Sequence, residues 1–414
     1  MVENGSRRVN TVRRVSVESV SGVVSGVTRM MVESLSSGKW AEFRRQMPVT
    51  GRWAYFDHAA VAPLPAPARD ALVRYAQQAA DEGDTVWPTW NRRVEEVRTL
   101  GARLVGAHAE EIALVRNTTE GISLVAEGFG WQEGDNVVTL DNEFPSNLYP
   151  WMNLASRGVE TRQVATDGGR VDLDRLIEAC DRRTRIVSVS WVGYASGWRT
   201  DLAALAQRVH AHGALLFVDA IQGLGAFPID AHATDIDFLA ADGHKWLLGP
   251  EGAGLLFVRR EHLERLRPLG VGWHSVVNAF DYGRAELDLN PTAARYEGGS
   301  ANVAGFLALA ESLELLLGLG IEAIGRRILE ITDLACARLT AAGCRLASLR
   351  EGEHRSGIVL FELPGHDPLA VVARLAREGV VLRCRGGKLR LSPHAYVDEN
   401  DIDRLIAAIE GLRS

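Results

Sequence analysis

At 414 residues the chain is longer than one ordinary domain, so two packed domains are expected. With 46% hydrophobic and 24% charged residues and a net charge of -7, it has an ordinary globular composition that excludes a general nucleic-acid binder. No apolar stretch reaches the ~18 residues of a membrane span, and Cys180, Cys336, Cys344 and Cys384 stand scattered. That spacing forms neither a disulfide framework nor a zinc site, and it points to a reducing, cytoplasmic compartment.

Residues 1–38 are rich in Ser, Val and Arg, with Arg7, Arg8, Arg13 and Arg14 clustered, but lack the apolar core of a secretory signal. Glu3, Glu18 and Glu33 dilute any likeness to an organellar leader, so a disordered or leader-like extension without assigned function is expected. Order begins near Trp40. Tyr55-Phe56-Asp57-His58-Ala59-Ala60, followed by Pro63, Pro65 and Pro67, reads as a strand and a proline-initiated helix. Helical patterns span 66–82 and 89–106, and 112–115 is a strand. Arg116-Asn117-Thr118-Thr119-Glu120-Gly121 then leads into a helix from Ile122. Thr118 or Thr119 would cap that helix, and its N–H groups and dipole suit a phosphate.

A strand at 136–140 runs into Asp141-Asn142-Glu143-Phe144, and another at 185–190 into Trp191 to Asp201, which caps a helix over 202–212. His210 and His212 face different sides of that helix, which excludes a metal pair. The apolar run 214–218 ends in Asp219, with Gln222 three positions on, and the run 237–241 leads to Gly243-His244-Lys245. Two neighbouring strands would thus bring a carboxylate and a lysine to one carboxyl edge, where open α/β sheets bind ligands. Beyond residue 300 the pattern is that of a smaller α+β domain. Helices are expected at 305–317, 321–342, 368–378 and 399–412, with strands at 357–363, 380–385 and 388–391.

A strand-end Asp or a loop Lys alone is ordinary. Together they suit pyridoxal 5'-phosphate (PLP), whose aldehyde forms an imine with lysine and whose ring nitrogen an acid keeps protonated. The order Asp219/Gln222, Gly243-His244-Lys245, then Gly249-Pro250-Glu251-Gly252-Ala253-Gly254, resembles class V of the PLP-dependent aminotransferases, the fold-type I group of cysteine desulfurases, isopenicillin N epimerase and kynureninase. The resemblance runs from about Tyr55 to the C-terminus. It implies an α/β fold with a large domain over 39–300, built on a mixed, mostly parallel sheet flanked by helices, and a small α+β domain over 301–414. The entry segment 39–60 would pack with the small domain.

Residue by residue, the resemblance implies Lys245 and Asp219 as catalytic and Thr118, Thr119, Phe144, Asp219, Gln222, His244, Lys245 and Ser300 as cofactor-binding. Arg390, Arg383, Asp57 and Ala59 are the implied substrate contacts, with no metal and an amino-acid substrate. Ser300 lies in Arg295-Tyr296-Glu297-Gly298-Gly299-Ser300-Ala301-Asn302, a segment that reaches the other subunit's phosphate in this family, so a homodimer is expected. Asp242 stands where relatives carry a phosphate-binding serine and is left out of the set, since a carboxylate repels phosphate unless paired. Phe144 replaces the histidine of cysteine desulfurases, as in kynureninase-like members, keeping ring stacking but not proton transfer. Desulfurases also carry a loop with a sulfur-accepting thiol between the positions of Arg383 and Arg390, where only Cys384-Arg385-Gly386-Gly387-Lys388-Leu389 stands here. The resemblance therefore favours a lyase of the β-elimination type, an epimerase or a transaminase, with a desulfurase or a non-catalytic scaffold as alternatives.

Overall fold

Short apolar runs, several buried along their whole length, build the sheets. In chain order they are β1 (Ala54–Tyr55), β2 (Ile112–Val115), β3 (Asn136–Leu140), β4 (Glu160–Val164), β5 (Thr184–Ser190), β6 (Leu215–Asp219), β7 (Phe238–Asp242), β8 (Gly254–Val258), β9 (Arg345–Leu346), β10 (Val359–Glu362), β11 (Val380–Val381), β12 (Arg383–Arg385) and β13 (Lys388–Leu391). The computed structural model describes Met1, residues 38–283 and residues 286–413, so the leader-like extension expected at 1–38 lies almost wholly outside the described residues. Arg44–Ser414 form one compact unit.

Seven strands make the main sheet in the order β2-β8-β7-β6-β5-β3-β4. β8 runs antiparallel to β2 and β7, and the other neighbouring pairs are parallel. Every residue of β2, β3, β7 and β8 is buried. Strands covered on both faces need no polar alternation, which is why they read as continuous apolar runs. β4 is the exception: its sequence ETRQV is exposed or half-buried throughout, as befits an edge strand, and it has no apolar pattern by which to find it.

The helix Thr118–Gly128 lies against β2, β7 and β8, and Leu202–Ala211 against β6. Val303–Leu319 packs on Ala66–Asp81 and Trp87–Val105, so it belongs by contact with helices that precede residue 300. Among the described residues no single helix is long and apolar enough to cross a membrane.

The C-terminal part holds a second sheet, ordered β12-β13-β10-β9 and wholly antiparallel. β12 and β13 are joined by Gly386 and Gly387, at φ 55° and 72°. Two successive positive φ values define the tight hairpin turn that glycine alone adopts without strain. β1 pairs with β11, and beyond it Asp57 bridges to Ser392, past the end of β13. The chain from Ala54 to His58 is therefore laced to both ends of this C-terminal segment, and Asp57 is set beside Arg390.

Gly121 sits where the helix Thr118–Gly128 meets β7, and a Cβ there would lie 2.8 Å from the Cβ of Ala240. Alanine would gain ~1 kcal/mol of helix propensity but overpack a buried contact at ~1–3 kcal/mol. Gly121→Ala is expected to lower the melting temperature, and Ala240→Gly added to it to recover most of the loss; an unchanged melting temperature for Gly121→Ala would show that the helix shifts freely.

Candidate active site

The carboxyl ends of β2, β5, β6 and β7 and the loop after β3 open on one side of the main sheet, as parallel strands require. A cavity of about 510 Å³ lies there. Ala59, Thr118, Thr119, Phe144, Asp219, Gln222, His244, Lys245, Arg383 and Arg390 all line it. The structure thus brings together residues from six separate stretches of sequence. Asp57 lies just behind the lining, in contact with both arginines.

Asp219 ends β6 and is 2% exposed; burial pushes its carboxyl up to about 6, against the Ile221 N–H it accepts at 3.0 Å and the nearby Lys245 charge. Lys245 follows β7 and is 9% exposed; burial lowers its amine to about 8, opposed mainly by Asp219. Each group is shifted toward its neutral form, because a desolvated charge is costly even with an opposite charge near. The Lys245 Nζ stands 5.6 Å from the Phe144 ring centroid. Phe144 remains 41% exposed and meets Tyr194 edge-on at 5.2 Å, so a face of the ring is open to a ligand.

Gln222 is buried and already engaged. Its amide donates to the Ala59 carbonyl at 3.0 Å and accepts from the Trp246 indole at 2.9 Å, tying the Asp57–Ala60 segment to the lysine turn. Neither Thr118 nor Thr119 caps its helix, contrary to expectation: Asn117 does, accepting the Glu120 N–H at 2.9 Å. The Asn117-Thr118-Thr119-Glu120 spacing is the signal for this. Thr118 instead accepts the Asp242 N–H at 3.0 Å, and Thr119 meets Ser146 at 2.8 Å. Both threonines are left at the helix N-terminus, where free N–H groups and the dipole favour an anion. Asp242 is paired: its carboxylate accepts the Gly243 N–H at 2.7 Å and lies 2.9 Å from His244 Nδ1, at ionic range though out of line for a hydrogen bond.

Arg390 is 1% exposed, donates to the Tyr194 carbonyl at 3.0 Å and to Asp57 at 3.3 Å, and keeps a buried Nε without a partner. Arg383 stands directly opposite on β12 and reaches the other Asp57 oxygen at 2.7 Å. Ser300 is not part of this cavity. Glu297 accepts from Arg98 at 2.6 Å and from the Leu114 N–H at 2.8 Å, which holds Gly298–Ser300 along a neighbouring cleft that shares only Asn117 and Thr119 with the site.

Three contributors escaped the sequence reading. Tyr194 supplies a carbonyl and a ring, and Ser146 a hydroxyl, from loops whose side-chain directions sequence spacing does not set. Glu143 accepts both the N–H and the hydroxyl of Ser190, and burial followed by the Asp219 charge pushes its carboxyl up to about 7. Ser190 is the strand partner of Asp219, so two buried acids stand close together.

This donor set fits PLP. It combines a buried amine of lowered basicity, a buried acid for the ring nitrogen, an open aromatic face and a helix N-terminus with hydroxyls for the phosphate. A family model described as aminotransferase class-V matches residues 54–405. The chain belongs to that family. It is 30% identical to a probable cysteine desulfurase of Methanothermobacter thermautotrophicus over 89% of this chain and 97% of that one. A cysteine desulfurase of Dickeya dadantii is 33% identical over 88% and 93%. The apo structure of a cysteine desulfurase from Thermococcus onnurineus NA1 superposes with a TM-score of 0.82 at 26% identity, over 90% of this chain and 97% of that one. The chain is a class V PLP-dependent enzyme.

The lowered Lys245 amine has a measurable consequence, because only a neutral amine attacks an aldehyde. The rate at which cofactor-free protein captures PLP is expected to rise as pH passes about 8, below the 10.5 of an ordinary lysine. A midpoint near the ordinary value would mean that Lys245 is solvated in solution.

Proposed function

We propose that this chain is a PLP-dependent lyase that breaks the Cβ–S bond of a small sulfur-containing α-amino acid and releases the sulfur to solution. The relatives' names, cysteine desulfurase, support the sulfur chemistry. The hairpin carries the rest of the reading. With only Gly386 and Gly387 between β12 and β13, Cys384 is held in a strand as the partner of Leu389; it borders the cavity, but from the strand face opposite to that of Arg383 and Arg390. It has no arm on which to travel to the substrate.

PLP, when bound, supplies an electron sink for negative charge at the substrate Cα. Lys245 is the base for the Cα proton, its neutral fraction growing above about pH 8. Asp219 would hold the ring nitrogen and Gln222 the ring hydroxyl. Thr118, Thr119 and His244, with the helix N-terminus, would hold the phosphate, and Phe144 would stack on the ring. Arg390 takes the α-carboxylate in a forked contact that its unpartnered Nε can complete, with Asp57 and Arg383 holding it in place and Ala59 bordering the substrate. A small amino acid is a substrate this cavity accommodates.

The same reading makes the enzyme a homodimer, with Ser300 reaching the partner copy's phosphate, and a cytoplasmic protein, supported by four unpaired cysteines. Residues 39–300 hold the cofactor and 301–414 carry the carboxylate-binding strand. Epimerisation or transamination would begin with the same proton removal and is read out by the same assay.

Incubation with L-cysteine and a panel of amino acids is expected to yield pyruvate, ammonia and sulfide, without alanine, keto acid of the intact skeleton or optical inversion. Cys384→Ser should keep most turnover; its loss alongside alanine production by the parent enzyme would establish a desulfurase instead. Arg390→Lys is expected to raise KM by about 1.5–3 kcal/mol in binding terms, the scale of a lost charged hydrogen bond, and an unmoved KM would remove Arg390 from the substrate contacts.

A further inference from the structure

The face of the β12–β13 hairpin that borders the active-site cavity carries more positive charge than its own acids neutralise. Residues directly opposite on antiparallel strands share a face, so the pairs Arg383/Arg390 and Arg385/Lys388 lie together on one side. β10 continues that face: Leu360 stands beside Arg390, and Phe361 pairs with Leu389 on the alternate face, which sets Glu362 beside Lys388. β9 adds Arg345, the partner of Glu362. Asp57 holds both Arg383 and Arg390. Glu362 bonds Arg345, and its carboxyl is lowered by that arginine and further by the Lys388 charge. The Arg385 guanidinium, exposed at the mouth of the cavity, has no hydrogen bond or ion pair among the described residues, stands opposite a like charge, and lines the cavity with Lys245. Like charges opposite one another destabilise a hairpin, so nothing in local folding favours Arg385 at this place. Its charge reaches the reacting groups, since it is among the causes that lower both Lys245 and Arg390.

We infer that Arg385 is a specificity residue that binds a second anionic group on the substrate, carried by the side chain beyond the sulfur. This rests on the proposed reading of the site, in which Arg390 takes the α-carboxylate and Asp57 is consumed by Arg390 and Arg383. A substrate with only one carboxylate leaves Arg385 to solvent alone, whereas an amino acid whose leaving group bears an acid places an anion within its reach. The cavity of about 510 Å³ has room for such a side chain. The substrate class is therefore an S-substituted cysteine or disulfide whose far end is acidic.

Equilibrium binding to the PLP-loaded enzyme tests this without turnover, using amino acids with a methyl group in place of the Cα proton. α-Methylaspartate, with a second anion, is expected to bind roughly tenfold to a hundredfold more tightly than α-methylalanine, read from the shift of the cofactor absorption band. Arg385→Gln should collapse that ratio toward one, Arg385→Lys should keep part of it, and Arg390→Lys should weaken both ligands together. A ratio near one in the parent enzyme, or a ratio that survives Arg385→Gln, overturns the inference. If neither ligand shifts the band of a protein that carries PLP, the amino-acid reading of the site fails first, and the role of Arg385 falls with it.

Discussion

The site depends on the removal of two opposite charges from water at the ends of adjacent parallel strands. β6 and β7 are hydrogen-bonded neighbours, and Asp219 closes one as Lys245 follows the other. Neither residue is more than 9% exposed. A desolvated pair of this kind is poised: the acid is harder to ionise and the amine easier to neutralise than either would be in solution. That poise comes from the apolar strands beneath, because Phe217, Val218, Phe238, Leu239 and Ala240 leave no route for water from below. A sheet with one solvated face would lose it.

The second constraint is the buried ion pair around Asp57. One carboxylate ties the segment after β1 to two arginines of the C-terminal hairpin, residues more than 320 positions away in sequence. Breaking a buried pair by removing one partner typically costs ~3–5 kcal/mol, because the other charge is left without compensation. Asp57 thus has a mechanical part as well as an electrostatic one. It fixes the orientation of Arg390, while Gln222 ties the adjoining Ala59 to the Trp246 indole beside Lys245. Arg390, the Asp57–Ala59 segment and the lysine turn are held in one connected set of bonds.

Acidic groups near a phosphate site look self-defeating until their partners are known. Asp242 occupies a place where a hydroxyl would serve a phosphate better, and its carboxylate is taken up by the Gly243 N–H and the His244 ring. Glu143 is likewise absorbed by Ser190. Both acids are therefore occupied within the protein, and Asp219, Lys245 and the hairpin arginines are the other acid and cations that line the cavity.

Much of this was decided at the level of sequence. The apolar runs of β2, β6 and β7 could satisfy their backbone only inside a covered sheet, and the acid and lysine that terminate β6 and follow β7 had to emerge at its carboxyl edge. Glycine at both 386 and 387 permitted a two-residue turn and nothing longer. What sequence spacing could not carry was partnership across the fold. That Thr118 accepts the Asp242 N–H depends on where β7 ends beside its helix. That Arg383 and Arg390 share Asp57, while Arg385 is left without an acid, depends on strand register and on the return of β1 to the far end of the chain. Periodicity along a strand tells which residues share a face, but a charge is neutralised by whatever the fold brings opposite it, and only the tertiary structure decides that.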